Sequence, residues 1–358
     1  MQSARRDLWD NPMGTDGFEF VEYTGPDPAA LAELFERMGF VAAARHRSKN
    51  VTLYRQGDVN FILNAEPESF AQAFARLHGP SVCALAFRVA DAAKAYQRAI
   101  SLGAKPVHGK VGPMELNIPA IEGIGGSLIY LVDRYGERTI YDVDFTPLAA
   151  DMAAASGVGL ADIDHLTHNV HRGRMQLWAE FYERLFNFRE IRYFDIEGRL
   201  TGLRSKAMTS PDGRIRIPIN ESADDKSQIA EYLEAYHGEG IQHIALATAD
   251  IYASVEALRR RAISFMSVPD AYYEAVDARV PGHGEDLGRL QRDRILIDGA
   301  PGAGQGLLLQ IFSETVIGPI FFEIIERKGN EGFGEGNFRA LFESIERDQI
   351  RRGVLASI

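Results

Sequence analysis

The chain has 358 residues, too many for one typical core, so two domains are the first expectation. A formal net charge of −11 argues against a nucleic-acid partner, and no basic stripe with interleaved aromatics appears. With 46% hydrophobic and 25% charged residues the composition suits a globular protein. No run of 18 apolar residues offers a membrane span, and Met1 to Arg6 lacks the apolar core of a secretory signal. The single cysteine, Cys83, excludes an internal disulfide, so a cytoplasmic location is expected.

In chain order, Glu33 to Phe40 reads as the end of an amphipathic helix turning into a strand. Ser81-Val82-Cys83-Ala84-Leu85 reads as a buried strand, which makes Cys83 a core residue rather than a nucleophile. A helix follows over Ala92 to Leu102, then a turn with proline, then a strand within Gly126 to Arg134. Tyr141 to Gly159, with Pro147, an alanine run and Ser156-Gly157, reads as a linker with room for one short helix. The same series then returns. Glu180 to Phe188 matches Glu33 to Phe40, Gln242 to Asp250 matches Cys83 to Asp91, and Pro319 to Arg327 matches Gly126 to Arg134. The unit is a strand, a helix and several strands, used twice per half. Such units cannot bury their inner faces alone, so pairs of them should close a curved sheet. The halves divide at 1–150 and 151–358.

Three segments of the second half hold a metal-capable side chain in an apolar strand: Ile163-Asp164-His165-Leu166, Gln242-His243-Ile244-Ala245-Leu246 and Phe321-Phe322-Glu323-Ile324. Two histidines and one carboxylate form the ligand set of a non-heme iron(II) oxygenase. His165 taken alone reads first as a core or polar-network residue. His243, among isoleucine, leucine and alanine, needs partners for both ring nitrogens. Glu323, among Pro319, Ile320, Phe321, Phe322, Ile324 and Ile325, needs a cation. His168 and His171 read as a His-rich loop end, and Glu326 as a surface ion-pair residue beside Arg327 and Lys328. Gly299 to Gly306 lacks the Gly-Lys-Ser/Thr ending of a phosphate loop and precedes a strand, so it reads as a hairpin loop. No G-x-S-x-G elbow is present. Aligning the halves sets Phe20 opposite His165, Ala84 opposite His243 and Tyr130 opposite Glu323. The metal is therefore expected in the C-terminal half only, with the N-terminal half structural.

Further segments carry a resemblance. They are Leu203-Arg204-Ser205, Pro218-Ile219-Asn220-Glu221, Ser227-Gln228-Ile229 and Leu309-Gln310-Ile311-Phe312, with the tail Gly332-Phe333-Gly334-Glu335-Gly336-Asn337-Phe338. Together with the ligand strands they resemble the 4-hydroxyphenylpyruvate dioxygenase family, in order through most of the C-terminal half. The resemblance implies an α+β fold of two glyoxalase-like (vicinal oxygen chelate) domains. Each would be an open mixed β-barrel of paired βαβββ units. It implies one Fe(II) per chain on His165, His243 and Glu323. Ser205, Asn220, Gln228, Gln242 and Gln310 would line the polar part of the pocket. Phe312, Phe321, Phe333 and Phe338 would contact the substrate ring, with Asn337 alongside. From Glu335 onward Phe338, Leu341, Phe342 and Ile345 follow helical spacing, and the resemblance makes that helix a gate over the site.

The implied activity takes 4-hydroxyphenylpyruvate and O2 to homogentisate and CO2 in tyrosine catabolism, with the α-keto acid inside the substrate. A homo-oligomer, dimer or tetramer, is expected, and no membrane partner. The rivals are 4-hydroxymandelate synthase, an extradiol catechol dioxygenase and a metal-free ligand-binding protein on the same scaffold. The Pro-Ile-Asn-Glu segment with Phe312, the tail and the complete ligand set argue against them in turn.

Overall fold

The computed structural model describes residues 7–109, 112, 114–148, 157–197, 202–223 and 227–340. Four βαβββ units follow one another. The first is β1 (Phe18–Thr24), α1 (Pro28–Arg37), β2 (Val41–His46), β3 (Val51–Gln56) and β4 (Val59–Asn64). After α2 (Phe70–His78) comes the second: β5 (Ser81–Arg88), α3 (Ala92–Ser101), β6 (Pro106–Val107), β7 (Ala120–Glu122) and β8 (Leu128–Val132). A short α4 (Ile140–Asp144) leads to β9 (Phe145–Pro147). The third unit is β10 (Leu160–Val170), α5 (Met175–Phe186), β11 (Arg189–Glu197), β12 (Gly202–Thr209) and β13 (Arg216–Ser222). After α6 (Gln228–Tyr236) the fourth has β14 (Gly240–Thr248), α7 (Ile251–Arg260), β15 (Leu296–Gly299), β16 (Leu307–Phe312) and β17 (Phe321–Lys328).

The helices start where the sequence offers an oxygen to their free N–H groups. Asp91 and Asp250, aligned in the two halves, cap α3 and α7 through Lys94 N and Ala253 N. Their apolar faces, such as Ile251, Val255 and Leu258, pack on the sheets. One mixed sheet runs β6-β7-β8-β5-β1-β4-β3-β2-β9, the other β11-β12-β13-β10-β14-β17-β16-β15. In each, the first strands of the paired units lie side by side and antiparallel, flanked by parallel neighbours. Residues of all eight strands of the second sheet, from Phe194 to Leu296, face one cavity, so that sheet curls into an open half-barrel. The halves pack together: Phe61 stacks on Phe322 at 5.9 Å, and Asp58 N donates to Ala161 O.

Three expectations need correction here. The stretch Tyr141 to Gly159 is not only a linker, because β9 pairs with the β2 edge and extends the first sheet. Its alanine run lies outside the described residues. His168 is no loop residue: it lies inside β10, fully buried, on the face toward α5, with its ring 2.8 Å from the Tyr182 hydroxyl. Glu326 does pair with Lys328, at 3.6 Å, but it is buried and accepts from Ile251 N at the start of α7. The glycine-rich stretch 299–306 is indeed the connection of the β15–β16 hairpin.

Candidate metal centre and its cavity

The three ligand candidates lie on adjacent strands because register places them there. His165 pairs with Ala245, and Ala245 pairs with Glu323. His243 sits two residues before Ala245 on the central strand, on the same face. Nε2 of His165 and of His243 lie 3.1 and 3.3 Å from the same Glu323 oxygen, Oε2. One ligand atom from each residue lies within 4.8 Å of the others. The first sheet repeats this register: Phe20 pairs with Ala86, and Ala86 with Tyr130. There the equivalent positions hold Phe20, Ala84 and Tyr130, and the Phe20 and Tyr130 rings meet at 5.6 Å. The alignment of halves drawn from the sequence is the alignment of the two sheets.

Each histidine is oriented by its own neighbour. Asp164 Oδ1 lies 2.8 Å from His165 Nδ1, and Gln242 Oε1 lies 3.0 Å from His243 Nδ1. Neighbours on a regular strand face opposite ways. Here two β-bulges intervene. The pairing steps from Ile163–Leu246 to His165–Ala245, which makes Asp164 an extra residue, and from Thr167–His243 to His168–Ile241, which makes Gln242 one. Bulges of this kind re-aim side chains. Gln242 is expected in the pocket from the sequence and Asp164 is not. An acid directly before the candidate histidine is the available signal, and strand alternation conceals it.

With each Nδ1 facing an acceptor, both Nε2 atoms point at a carboxylate oxygen. Three such groups converging in a buried space form a place for a shared cation. Without an ion between them, the Nε2 atoms meet that oxygen as N–H donors. Burial alone would raise the Glu323 carboxyl, but His165's charge and the hydrogen bonds of both histidines hold it down to about 2. Burial lowers His165, yet the charge of Glu323 and the bond to Asp164 raise it overall, whereas burial leaves His243 lowered. Burial would also raise Asp164, but Arg327, donating at 2.7 and 2.8 Å, keeps it well below the usual carboxylate range. A site that favours positive charge and offers two imidazoles and a carboxylate fits Fe(II).

The triad forms the floor of a cavity of about 320 Å³, within the usual span for small-molecule sites. Ser205, Asn220, Gln228, Gln242, Gln310, Phe312, Phe321, Phe333 and Phe338 all face it. Asn337 does not. It is buried behind the wall, donating to Gln310 Oε1 at 2.7 Å and accepting from the Tyr272 hydroxyl at 2.6 Å. Gln310 in turn donates to the second Glu323 oxygen at 2.9 Å. Met266, Leu296 and Phe194 add apolar wall that the sequence reading did not name. The tail comes close because Gly334 has φ +80° and no Cβ, which would lie 1.7 Å from Gln310 Oε1. The tail helix begins at Glu335 and is described over 335–340; Leu341, Phe342 and Ile345 lie outside the described residues.

Known proteins match this arrangement. Residues 9–146 match the family model described as "Hydroxyphenylpyruvate dioxygenase, HPPD, N-terminal". Residues 162–276 match that of the "Glyoxalase/Bleomycin resistance protein/Dioxygenase superfamily". A 4-hydroxyphenylpyruvate dioxygenase of Pseudomonas aeruginosa is 64% identical, over 96% of this chain and 97% of its own. This chain belongs to the 4-hydroxyphenylpyruvate dioxygenase family. A protein named hemolysin VllY, from Vibrio vulnificus, is 65% identical over 96% of this chain and 98% of its own. Among solved structures, a substituted 4-hydroxymandelate synthase from Streptomyces coelicolor superposes with a TM-score of 0.80 at 25% identity, over 94% of this chain and all of its own. Two glyoxalase-type mixed sheets are thus the family's architecture. No helix among the described residues is long and apolar enough to cross a membrane.

Proposed function

We propose that this chain converts 4-hydroxyphenylpyruvate and O2 to homogentisate and CO2, with one Fe(II) held by His165, His243 and Glu323. The convergence of those three ligands at the floor of an aromatic and amide-lined cavity carries the reading, in a chain 64% identical over nearly its whole length to a protein of that name. Bound there, Fe(II) would supply open coordination positions for an α-keto acid and for dioxygen, and with them the oxidation.

The protein's own part is orientation and exclusion. Asp164 and Gln242 fix both histidines with their N–H on Nδ1, so Nε2 faces inward. Gln310 holds one Glu323 oxygen and leaves the other free for the ion. Phe312, Phe321, Phe333 and Phe338 form apolar walls for the substrate ring and keep water from it. Ser205, Asn220, Gln228 and Gln242 offer hydrogen bonds to its polar ends. We assign 1–150 a structural role and 151–358 the chemistry, with the tail helix over the cavity. A cytoplasmic homo-oligomer, dimer or tetramer, belongs to this reading, and the lone buried cysteine accords with the location.

Product analysis tests the reading. Given 4-hydroxyphenylpyruvate, Fe(II), a reductant and oxygen, the chain should release homogentisate. Release of 4-hydroxymandelate instead would assign it the rival reaction on the same fold.

A further inference from the structure

Two series of contacts leave the metal triad in different directions and end on one segment, residues 330–340. The first passes from His165 Nδ1 to Asp164 and then to Arg327, whose Nε and Nη2 grip both carboxylate oxygens. Arg327 Nη1 donates onward to Asn330 O at 3.0 Å and Gly332 O at 2.6 Å, and its guanidinium lies 5.6 Å from the Phe333 ring. The second passes from Glu323 Oε1 to Gln310, then to Asn337 and the Tyr272 hydroxyl. Arg279 donates to that hydroxyl at 2.6 Å and to Ile297 O at 2.8 Å, which anchors it.

Every hydrogen bond in the second series has one orientation. Gln310 spends an N–H on Glu323 and its oxygen on Asn337, and Asn337 spends an N–H on Gln310 and its oxygen on Tyr272. A carboxylate turned away from Oε1 breaks the row at its first link. The first series is as constrained, because a guanidinium fork fits a carboxylate in one plane. Phe333 and Phe338, both on the cavity wall, sit on the backbone that these series hold.

We propose that Arg327 and Tyr272 are positioning residues that couple occupancy of the metal site to residues 330–340, so that Phe333 and Phe338 are set for the substrate only once a cation fixes His165 and Glu323. This rests on the reading of the triad as a metal site. Neither residue touches the substrate; each acts through the tail.

Hydrogen–deuterium exchange on the full chain tests it. The chain is stripped with chelator and reloaded with Co(II), whose absorption reports uptake independently of turnover. In the wild type, loading should slow exchange at 330–340 about tenfold, within the range expected for coupling residues. Tyr272→Phe and Arg327→Gln should each take up one Co(II) per chain and lose most of that slowing. Arg327→Lys, which keeps the charge without the fork, should behave like Arg327→Gln. If Arg327→Gln does not fold, Tyr272→Phe, which loses one hydroxyl, decides. Undiminished slowing in the variants, or none in a loaded wild type, overturns the proposal. A wild type that takes up no Co(II) overturns the metal reading itself, and the proposal with it.

Discussion

Glu19 and Asp164 occupy the same place in the two sheets. Each is the extra residue of a bulge in the central antiparallel ladder, and each is met by an arginine: Arg88 at 2.6 Å and Arg327 at 2.7 Å. The residues that follow differ, Phe20 in one case and His165 in the other, and so do the stations of the arginines: Arg88 lies on β5, whereas Arg327 lies on β17, where the aligned first half has Arg134. The repeat has kept the bulge and its buried acid, while only one copy places a ligand candidate beside it.

That separation predicts two different phenotypes. Asp164→Asn weakens the acceptor that sets His165, so Fe(II) affinity should fall roughly 10- to 100-fold, together with a loss of stability. Glu19→Gln breaks a comparable buried pair, at a cost on the order of 3 kcal/mol, with metal affinity unchanged. Competition with a chelator and thermal unfolding measure the two effects. Equal metal affinity in wild type and Asp164→Asn would remove the role given to the bulge.

Glu323→Ala should leave the chain folded, by far-UV circular dichroism, with neither bound iron nor turnover, because the remaining histidines lack the charge that holds the ion. Tyr130→Phe, at the station equivalent to Glu323, should leave the iron stoichiometry at one. Iron retained in the first variant, or lost in the second, would mean that the metal is not confined to the C-terminal sheet.

The four units, their order and the convergence of His165, His243 and Glu323 were legible in the sequence because they rest on periodicity and on charges that an apolar strand cannot leave unpaired. His243 and Glu323 announced themselves in this way. Asp164 did not, since alternation sends it to the far side of the sheet and only a bulge brings it back. His168 was hidden by the opposite error: its neighbours His165 and His171 suggested a His-rich loop, whereas a strand buries every second residue on its other face. Strand β9 is three residues long and carries no period of its own. Arg327 and Tyr272 join the site through tertiary contacts across 163 and 65 residues of chain, which no local pattern records.

Gly334→Ala tests the closeness of the tail. The new methyl would meet Gln310 Oε1, and φ +80° is strained for alanine. Either Gln310 or the tail must move, and Phe333 and Phe338 move with the tail. A misplacement of this size can lower kcat/KM on the order of 100-fold, while the triad still binds one iron. Steady-state kinetics beside an iron assay measure this, and wild-type kcat/KM in the variant would show that the tail's approach does not matter.

His168 predicts part of the acid limit of stability. Burial in the core lowers its pKa from 6.5 to about 3. The folded state therefore keeps the ring neutral while the unfolded chain binds a proton below pH 6.5. Its contribution is complete above pH 6.5 and is lost as pH falls toward 3, with a slope of about 1.4 kcal/mol per pH unit. His168→Gln keeps a polar partner for the Tyr182 hydroxyl but cannot be protonated. Its unfolding free energy, measured by denaturant titration between pH 6.5 and 4, should fall less steeply than that of the wild type, by about one proton's worth. Parallel curves would show that His168 is protonated in the fold as readily as in the open chain, and that its burial between β10 and α5 carries no pH dependence.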